Sequence, residues 1–303
     1  MKLPGRTLRT ASRLALLCSI TVLTGASAHH RPLPFFYDLY TFRGDDGGTD
    51  VVAAFAVVAG ELETEEARGG VRYRFDVTLV LADTALHSVS RTDDSVFVDL
   101  PRRLDSDHLL HTHIEVRAAP SRTTLQRVIM SDATKPGIGQ MYGGSFPIPD
   151  YSGSRLMLSD IALGQPDTRS GWRRGDVALA LLPTSQFPAS AFDVYYEIYN
   201  LTSGGSYTTA IAVERIDEPR ARDDGDRRTT LRFFGESDSG ADGALPELRR
   251  VEASLERGRY RLTATITDLA TGESAARSRL FHVRGRERAT TMVRALPREP
   301  ILP

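Results

Sequence analysis

The chain has 303 residues, 41% hydrophobic and 25% charged, the make-up of a folded globular protein and not of a disordered one. Its 38 basic and 39 acidic residues nearly cancel, which disfavours uniform nucleic-acid binding, and its single cysteine excludes a disulfide framework within the chain. The length accommodates two domains of ordinary size.

The chain opens with Lys2, Arg6, Arg9 and Arg13, followed by the apolar run "LALLCSITVLTG" (Leu14 to Gly25) and the small-x-small triplet "ASA" (Ala26 to Ala28). That order predicts a secretory signal peptide over 1–28, and a product that is periplasmic or extracellular. Four of the 38 basic residues would leave with it, so 34 would remain against 39 acidic ones. Cys18 would leave too, and apolar cores alone would hold the exported chain together. No second stretch approaches membrane-spanning length, so no membrane span is expected after cleavage.

From residue 33 onward the dominant period is two. "VVAAFAVVA" (Val51 to Ala59) is apolar on both faces, as a central strand is. "VRYRFDVTLVL" puts Val71, Tyr73, Phe75, Val77, Leu79 and Leu81 on one face and Arg72, Arg74, Asp76 and Thr78 on the other. "SVFVDL" aligns Val96, Val98 and Leu100, and "FDVYYEI" aligns Phe192, Val194, Tyr196 and Ile198. "GRYRLTATITD" repeats the design with Tyr260, Leu262, Ala264 and Ile266 inward. Alternation of this kind marks antiparallel strands with one buried face. Clusters such as "RGDDGGTD", "TSGGS" and "DLATGES" supply the turns. The best helical candidate, "PELRRVEASLERG", reads equally as a short strand and a turn.

The predicted architecture is therefore all-β: two tandem antiparallel β-sandwiches of immunoglobulin or fibronectin type III-like form. The first is placed at 33–164, the linker at 165–175, the second at 173–285, and a flexible tail at 286–303. One heptapeptide occurs in two versions. "FYDLYTF" (Phe36 to Phe42) and "YYEIYNL" (Tyr195 to Leu201) share the order aromatic, Tyr, acid, aliphatic, Tyr. Each reads as a strand in a comparable place of its own sandwich. Tyr37 and Leu39 then match Tyr196 and Ile198 inward, and Asp38 and Tyr40 match Glu197 and Tyr199 outward.

These stretches carry a resemblance. "YTFRGDDGGTDVVAAFAV", "LMLSDIAL", "VYYEIYNL" followed by "GSYTTAIAVE", and "LERGRYRLTATITDLATG" resemble, in that order, the C-terminal β-rich region of bacterial GWxTD-domain-containing proteins. The resemblance covers most of 35–285. The Gly-Trp-x-Thr-Asp motif itself is absent, and "SGWRRGD" around Trp172 shares only its first two residues. What the resemblance implies is an exported bacterial protein; it brings no catalytic residue with it.

Chemistry-bearing motifs are sparse. There is no Gly-x-Ser-x-Gly elbow, phosphate-binding Gly-rich loop with Lys, His-Glu-x-x-His pair or Rossmann glycine pattern. In "HLLHTHIEV" a strand puts Leu110, Thr112, Ile114 and Val116 inward and lines up His111, His113 and Glu115 outside, a spacing at which two imidazoles can hold a soft divalent ion. His29 would be the first residue after cleavage, as in copper-brace monooxygenases, and joins them in a metal-binding or copper/zinc-enzyme alternative. The acidic loops at Asp45 to Asp50, Asp223 to Asp226 and Ser237 to Gly243 offer oxygens to Ca²⁺ but lack EF-hand spacing. Arg-Gly-Asp at Arg43 and at Arg174 reads as coincidence in a chain rich in those residues. Tyr40, Tyr195 and Tyr199 occupy outward positions, where they either stack on a glycan or a partner protein or lie beneath the other domain. The expectation is a non-enzymatic protein without a cofactor, binding an envelope protein or a glycan; a carbohydrate-binding module is a further alternative.

Overall fold

The computed structural model describes residues 31–167, 171–184, 187, 191–216, 228–236, 243–252, 255–284 and 290–293. The expected signal peptide, His29, the acidic loop at 223–226 and all but Gly243 of the one at 237–243 lie outside them.

Eight strands build the first sandwich: β1 (Phe35–Arg43), β2 (Thr49–Val58), β3 (Thr64–Ala67), β4 (Gly70–Asp83), β5 (Val89–Leu100), β6 (Leu109–Ala118), β7 (Ser121–Asp132) and β8 (Gly139–Ile148). Its inner sheet begins β1-β2-β6, and its outer sheet runs β3-β4-β7-β8 with β5 also on β4. The period-two residues Tyr73, Phe75, Val77, Leu79 and Leu81 of β4 pack on Val51, Ala53, Phe55 and Val57 of β2 and on Leu110 and Ile114 of β6. Each of the Val, Leu, Ile and Phe side chains among these contributes about 1.5–3 kcal/mol by leaving water.

The second sandwich follows with β9 (Met157–Leu158), β10 (Ala162–Pro166), β11 (Trp172–Arg174), β12 (Val177–Leu181), β13 (Phe192–Tyr199), β14 (Ser206–Arg215), β15 (Arg228–Glu236), β16 (Ala244–Val251), β17 (Gly258–Asp268) and β18 (Ser274–Val283). Its inner sheet runs β11-β12-β10-β13-β16 with β9 on β13, and its outer sheet runs β15-β14-β17-β18. Phe192, Val194, Tyr196 and Ile198 meet Ile211, Val213, Leu262, Ala264 and Ile266 in its core. The pattern reading of these strands holds, and the doubtful "PELRRV" is strand β16.

The two inner sheets then pack on each other. Tyr40, Phe42, Val52 and Ala54 of the first meet Ala162, Trp172, Leu179, Leu181 and Tyr195 of the second. The molecule is a stack of four sheets: outer, inner, inner, outer. This is why β2 is apolar on both sides: Val51, Ala53, Phe55 and Val57 face one core, and Val52 and Ala54 face the other sandwich.

Two boundaries differ from expectation. The passage between sandwiches falls after Ile148 and before Met157, and the expected linker at 165–175 holds the end of β10 and all of β11. β10 pairs with β12 and β13, and β11 with β12, so Ala162–Pro166 and Trp172–Arg174 are strand, although the first holds Gly164 and Pro166. Strands of three to five residues are too short to display a period. The expected tail at 286–303 is not simply a tail: β19 (Thr290–Met292) returns to the first sandwich and runs parallel to β6.

Candidate functional site

The seam between the two inner sheets concentrates the polar chemistry of the chain. Its centre is aromatic. Trp172 is buried, its ring 5.0 Å from Phe42 and 5.4 Å from Tyr195. At the mouth lies a cleft of about 820 Å³, bounded by Arg43 and the β1–β2 turn, by Asp50, by Arg174 at the end of β11, and by Tyr195 and Glu197 of β13.

Arg174 is the hub of that mouth. Its Nε and Nη2 donate to the two oxygens of Glu197, its Nη1 donates to Asp50 Oδ2 at 3.1 Å, and its Nη2 also donates to the Arg43 carbonyl. These four hydrogen bonds go to three residues on three different strands, and Asp50 and Arg43 belong to the first sandwich. Tyr195 and Tyr199 donate their hydroxyls to Glu197 Oε1 and Oε2 at 2.7 and 2.5 Å. Tyr199 in turn accepts the Arg43 backbone N–H at 2.8 Å, and the Arg43 guanidinium lies 4.2 Å over its ring. On the far side of Asp50, Arg117 Nε donates to Oδ1 at 2.9 Å.

A carboxylate offers about four lone-pair positions. Glu197 receives two guanidinium N–H groups and two phenol O–H groups, so its capacity is filled. Burial opposes the positive charge of Arg174, yet the hydrogen bonds and charge of Glu197, with Asp50, hold the guanidinium above its ordinary range. Burial, and then the Glu197 charge, raise Tyr195 and Tyr199 well above a free phenol, so their protons stay on. A carboxylate so occupied has no position from which to take a substrate proton. The constellation works as a clamp between sandwiches.

A second polar seam runs along the other side of β1. Asp160 accepts the Thr41 N–H and hydroxyl at 3.0 and 2.7 Å and pairs with Arg277 of β18. Asp38 accepts from Arg279 Nη2 at 2.8 Å and from the Thr184 hydroxyl at 2.8 Å, while the Arg279 guanidinium sits 4.3 Å over the Tyr40 ring. From the outer sheet of the second sandwich, Arg279 thus reaches the first strand directly and Arg277 reaches it through Asp160.

Sequence reasoning placed Tyr40, Tyr195 and Tyr199 outward from their own sandwiches, and the period holds. The outward direction, however, leads into the neighbouring sandwich. All three are completely buried, so they are corrected from binding residues for a glycan or partner to members of the seam. The covering of the two repeats is mutual. Asp38 and Tyr40 in one copy, and Glu197 and Tyr199 in the other, face the same seam.

The histidines also lie on the seam side of β6, where His111 is opposite Ala56 and His113 opposite Ala54. His111 is 2% exposed, and neither ring nitrogen has a hydrogen-bond partner. Burial, then the neighbouring His108, lower it to about 4, so the imidazole is neutral. Among the described residues no three His, Cys, Asp or Glu side chains converge as a metal set, and His29, which the alternative adds to His111 and His113, lies outside those residues. The loop acids Asp45 and Asp50 face Arg117, and Asp50 also faces Arg174.

Pattern reading missed Arg174, Arg43, Asp50, Glu197, Asp160 and Arg279 as a group. One signal was present. Glu197 and Asp38 interrupt otherwise apolar strand sequences, and an acid inside a fully buried strand needs a cationic partner.

No family model matches the chain, and no match to a curated protein was found. Among solved structures, the chain is similar to red sea bream transglutaminase at 11% identity and a TM-score of 0.23, over 83% of this chain and 31% of that one. It is also similar to a calcium-binding mutant of Bacteroides uniformis β-glucuronidase 2 at 8% identity and a TM-score of 0.28, over 81% of this chain and 28% of that one. The chain spans less than a third of the length of either protein, and similarity this slight carries nothing about activity.

Proposed function

We propose that the protein is an exported, non-catalytic β-sandwich module with a binding or assembly role in the bacterial envelope, in the periplasm or outside the cell. The observation that carries this reading is the saturation of Glu197: this buried carboxylate at the wall of the 820 Å³ cleft has its acceptor positions filled by Arg174, Tyr195 and Tyr199. An acid used for turnover keeps a position open toward substrate; this one is committed to holding two sandwiches in register. The signal-type N-terminus and the resemblance to GWxTD-domain proteins support export. A rigid body of four stacked sheets suits the display of edges and loops to a partner.

The test is recovery of the processed protein from its native envelope fraction after brief cross-linking, with mass spectrometry of what accompanies it. A stoichiometric protein partner is the expected result. Consumption of an envelope component that Glu197→Gln abolishes while leaving the melting temperature unchanged would overturn the proposal.

A further inference from the structure

Strand β8 differs from the other edges of the molecule. Among the described residues, the other edge strands longer than three residues carry charge: Asp38 and Arg43 on β1, Glu65 and Glu66 on β3, Arg91, Asp93, Asp94 and Asp99 on β5, Arg232 and Glu236 on β15, Glu247, Arg249 and Arg250 on β16, Arg277 and Arg279 on β18. Charges on an edge are the common protection against pairing with another chain. β8 reads "GQMYGGSFPI" and has none.

Its free edge has defined ends. At the start, the chain near Arg31 occupies it: Arg31 N donates to the Gly137 carbonyl at 3.1 Å and Leu33 N to the Gly139 carbonyl at 3.3 Å. At the other end Pro147 has no N–H to give. Between them Gln140 to Phe146 is paired with β7 on one side and with no described strand on the other. The midpoint of that segment is Gly143.

The glycines themselves lack a reason inside the fold. Neither Gly143 nor Gly144 has a positive φ, and the one register irregularity between β7 and β8 lies elsewhere, at Ser121/Thr124. A Cβ on Gly143 would meet nothing nearer than the Gln126 carbonyl at 3.7 Å, and one on Gly144 only the Gln126 side-chain amide at 3.3 Å. Interior strand glycines often mark a bulge, a bend, or the close approach of a ligand or another backbone.

We infer that β8 is a self-pairing edge: a second copy of this chain adds antiparallel to Gln140–Phe146 about a two-fold axis at Gly143, joining two outer sheets into one. A two-fold axis normal to the sheet keeps each residue on its own face, so the register follows from the midpoint. Gln140 lies opposite the Phe146 of the other copy, Met141 opposite Ser145, and Tyr142 opposite Gly144. Each larger side chain meets a small one except at the ends. Tyr142, already stacked 5.8 Å from Tyr37, gains the open space over Gly144 of the other copy. Met141, 51% exposed, and Leu125, 40% exposed, lie on the outer face beside the new junction. At the two ends, antiparallel pairing brings Lys135 of each copy, which pairs with its own Glu63 at 3.3 Å, toward the exposed Asp150 of the other. The inference holds for an enzyme as well as for a scaffold and stands apart from the function proposed above.

The experiment is sedimentation equilibrium on the processed chain, from His29 onward, up to about 100 μM, beside the Met141→Lys, Ser145→Lys double variant. Both substituted positions point outward, so folding is kept and is checked by an unchanged melting temperature. A wild-type dimer whose dissociation constant weakens at least ~100-fold in the lysine variant is the expected result. A second variant, Gly143→Cys, sits at the axis, where directly opposed Cα atoms about 4.5–5.5 Å apart are within disulfide reach. It should cross-link to a dimer on mild oxidation, whereas Phe234→Cys on β15 should not. A wild-type monomer throughout the range, a dimer indifferent to the lysines, a Gly143→Cys chain that stays monomeric, or capture of an unrelated strand by a monomeric chain would each overturn the inference.

Discussion

Replacing Arg174 by Met tests the clamp directly. The substitution keeps most of the side-chain volume and removes the donors to Glu197, Asp50 and the Arg43 carbonyl. The Glu197 and Asp50 side chains, 6% and 10% exposed, lose their shared cation. Removing one partner of a buried pair costs about 3–5 kcal/mol. Glu197 keeps two phenol donors and Asp50 keeps Arg117, which places the expected loss near the lower end, about 3 kcal/mol. In a chain of this size that is a fall of roughly 5 °C in Tm. The single tryptophan of the chain, Trp172, is buried in the same seam and reports on it. Its emission should shift to the red in the variant at temperatures where circular dichroism still records both sandwiches. Adding Glu197→Gln to the variant should cost less than the sum of the two single changes, because an unpaired carboxylate is then removed. An Arg174→Met protein with unchanged Tm and unchanged Trp172 emission would refute the clamp.

Other outcomes follow from the same geometry. Tyr199→Phe removes a donor to Glu197 and an acceptor for the Arg43 N–H, and should lower stability in urea by about 1–3 kcal/mol. His111 binds its proton at about 4 when folded against about 6.5 when unfolded. Between those values the unfolded chain holds a proton that the folded chain excludes. Stability therefore falls as pH drops through that window, by about 1.4 kcal/mol per pH unit from this group, and His111→Leu should flatten the slope in urea titrations at several pH values. The same variant removes a buried ring without hydrogen-bond partners and should be at least as stable as wild type at pH 7. Chymotrypsin should leave the bond after Trp172 intact in the folded protein and cut it in Arg174→Met, since the seam covers that residue.

How much of this was legible from the residues can be argued strand by strand. β4 and β17 declare themselves, because one side of each is wet and the other dry, and a period of two records that difference in the side chains. β10 and β11 do not. β10 contains Gly164 and Pro166 and β11 is three residues long, so neither shows a period, and only pairing with β12 and β13 makes them strand. The clamp was half visible: Glu197 and Asp38 stand out within apolar strands, but their partners lie 23 and 241 positions away along the chain. Nothing local connects an arginine to an acid at such separation.

The sequence by itself determined the all-β class, which strands have a core face, and that Tyr40, Tyr195 and Tyr199 point away from their own cores. Local sterics and side-chain alternation fix those properties within a few residues. Only the tertiary structure decided that the outward faces of β1 and β13 are turned toward each other, converting exposed tyrosines into buried ones and scattered charges into a clamp. Burial between sheets depends on which distant surfaces meet, and alternation along a strand distinguishes its two faces without saying what will cover either of them.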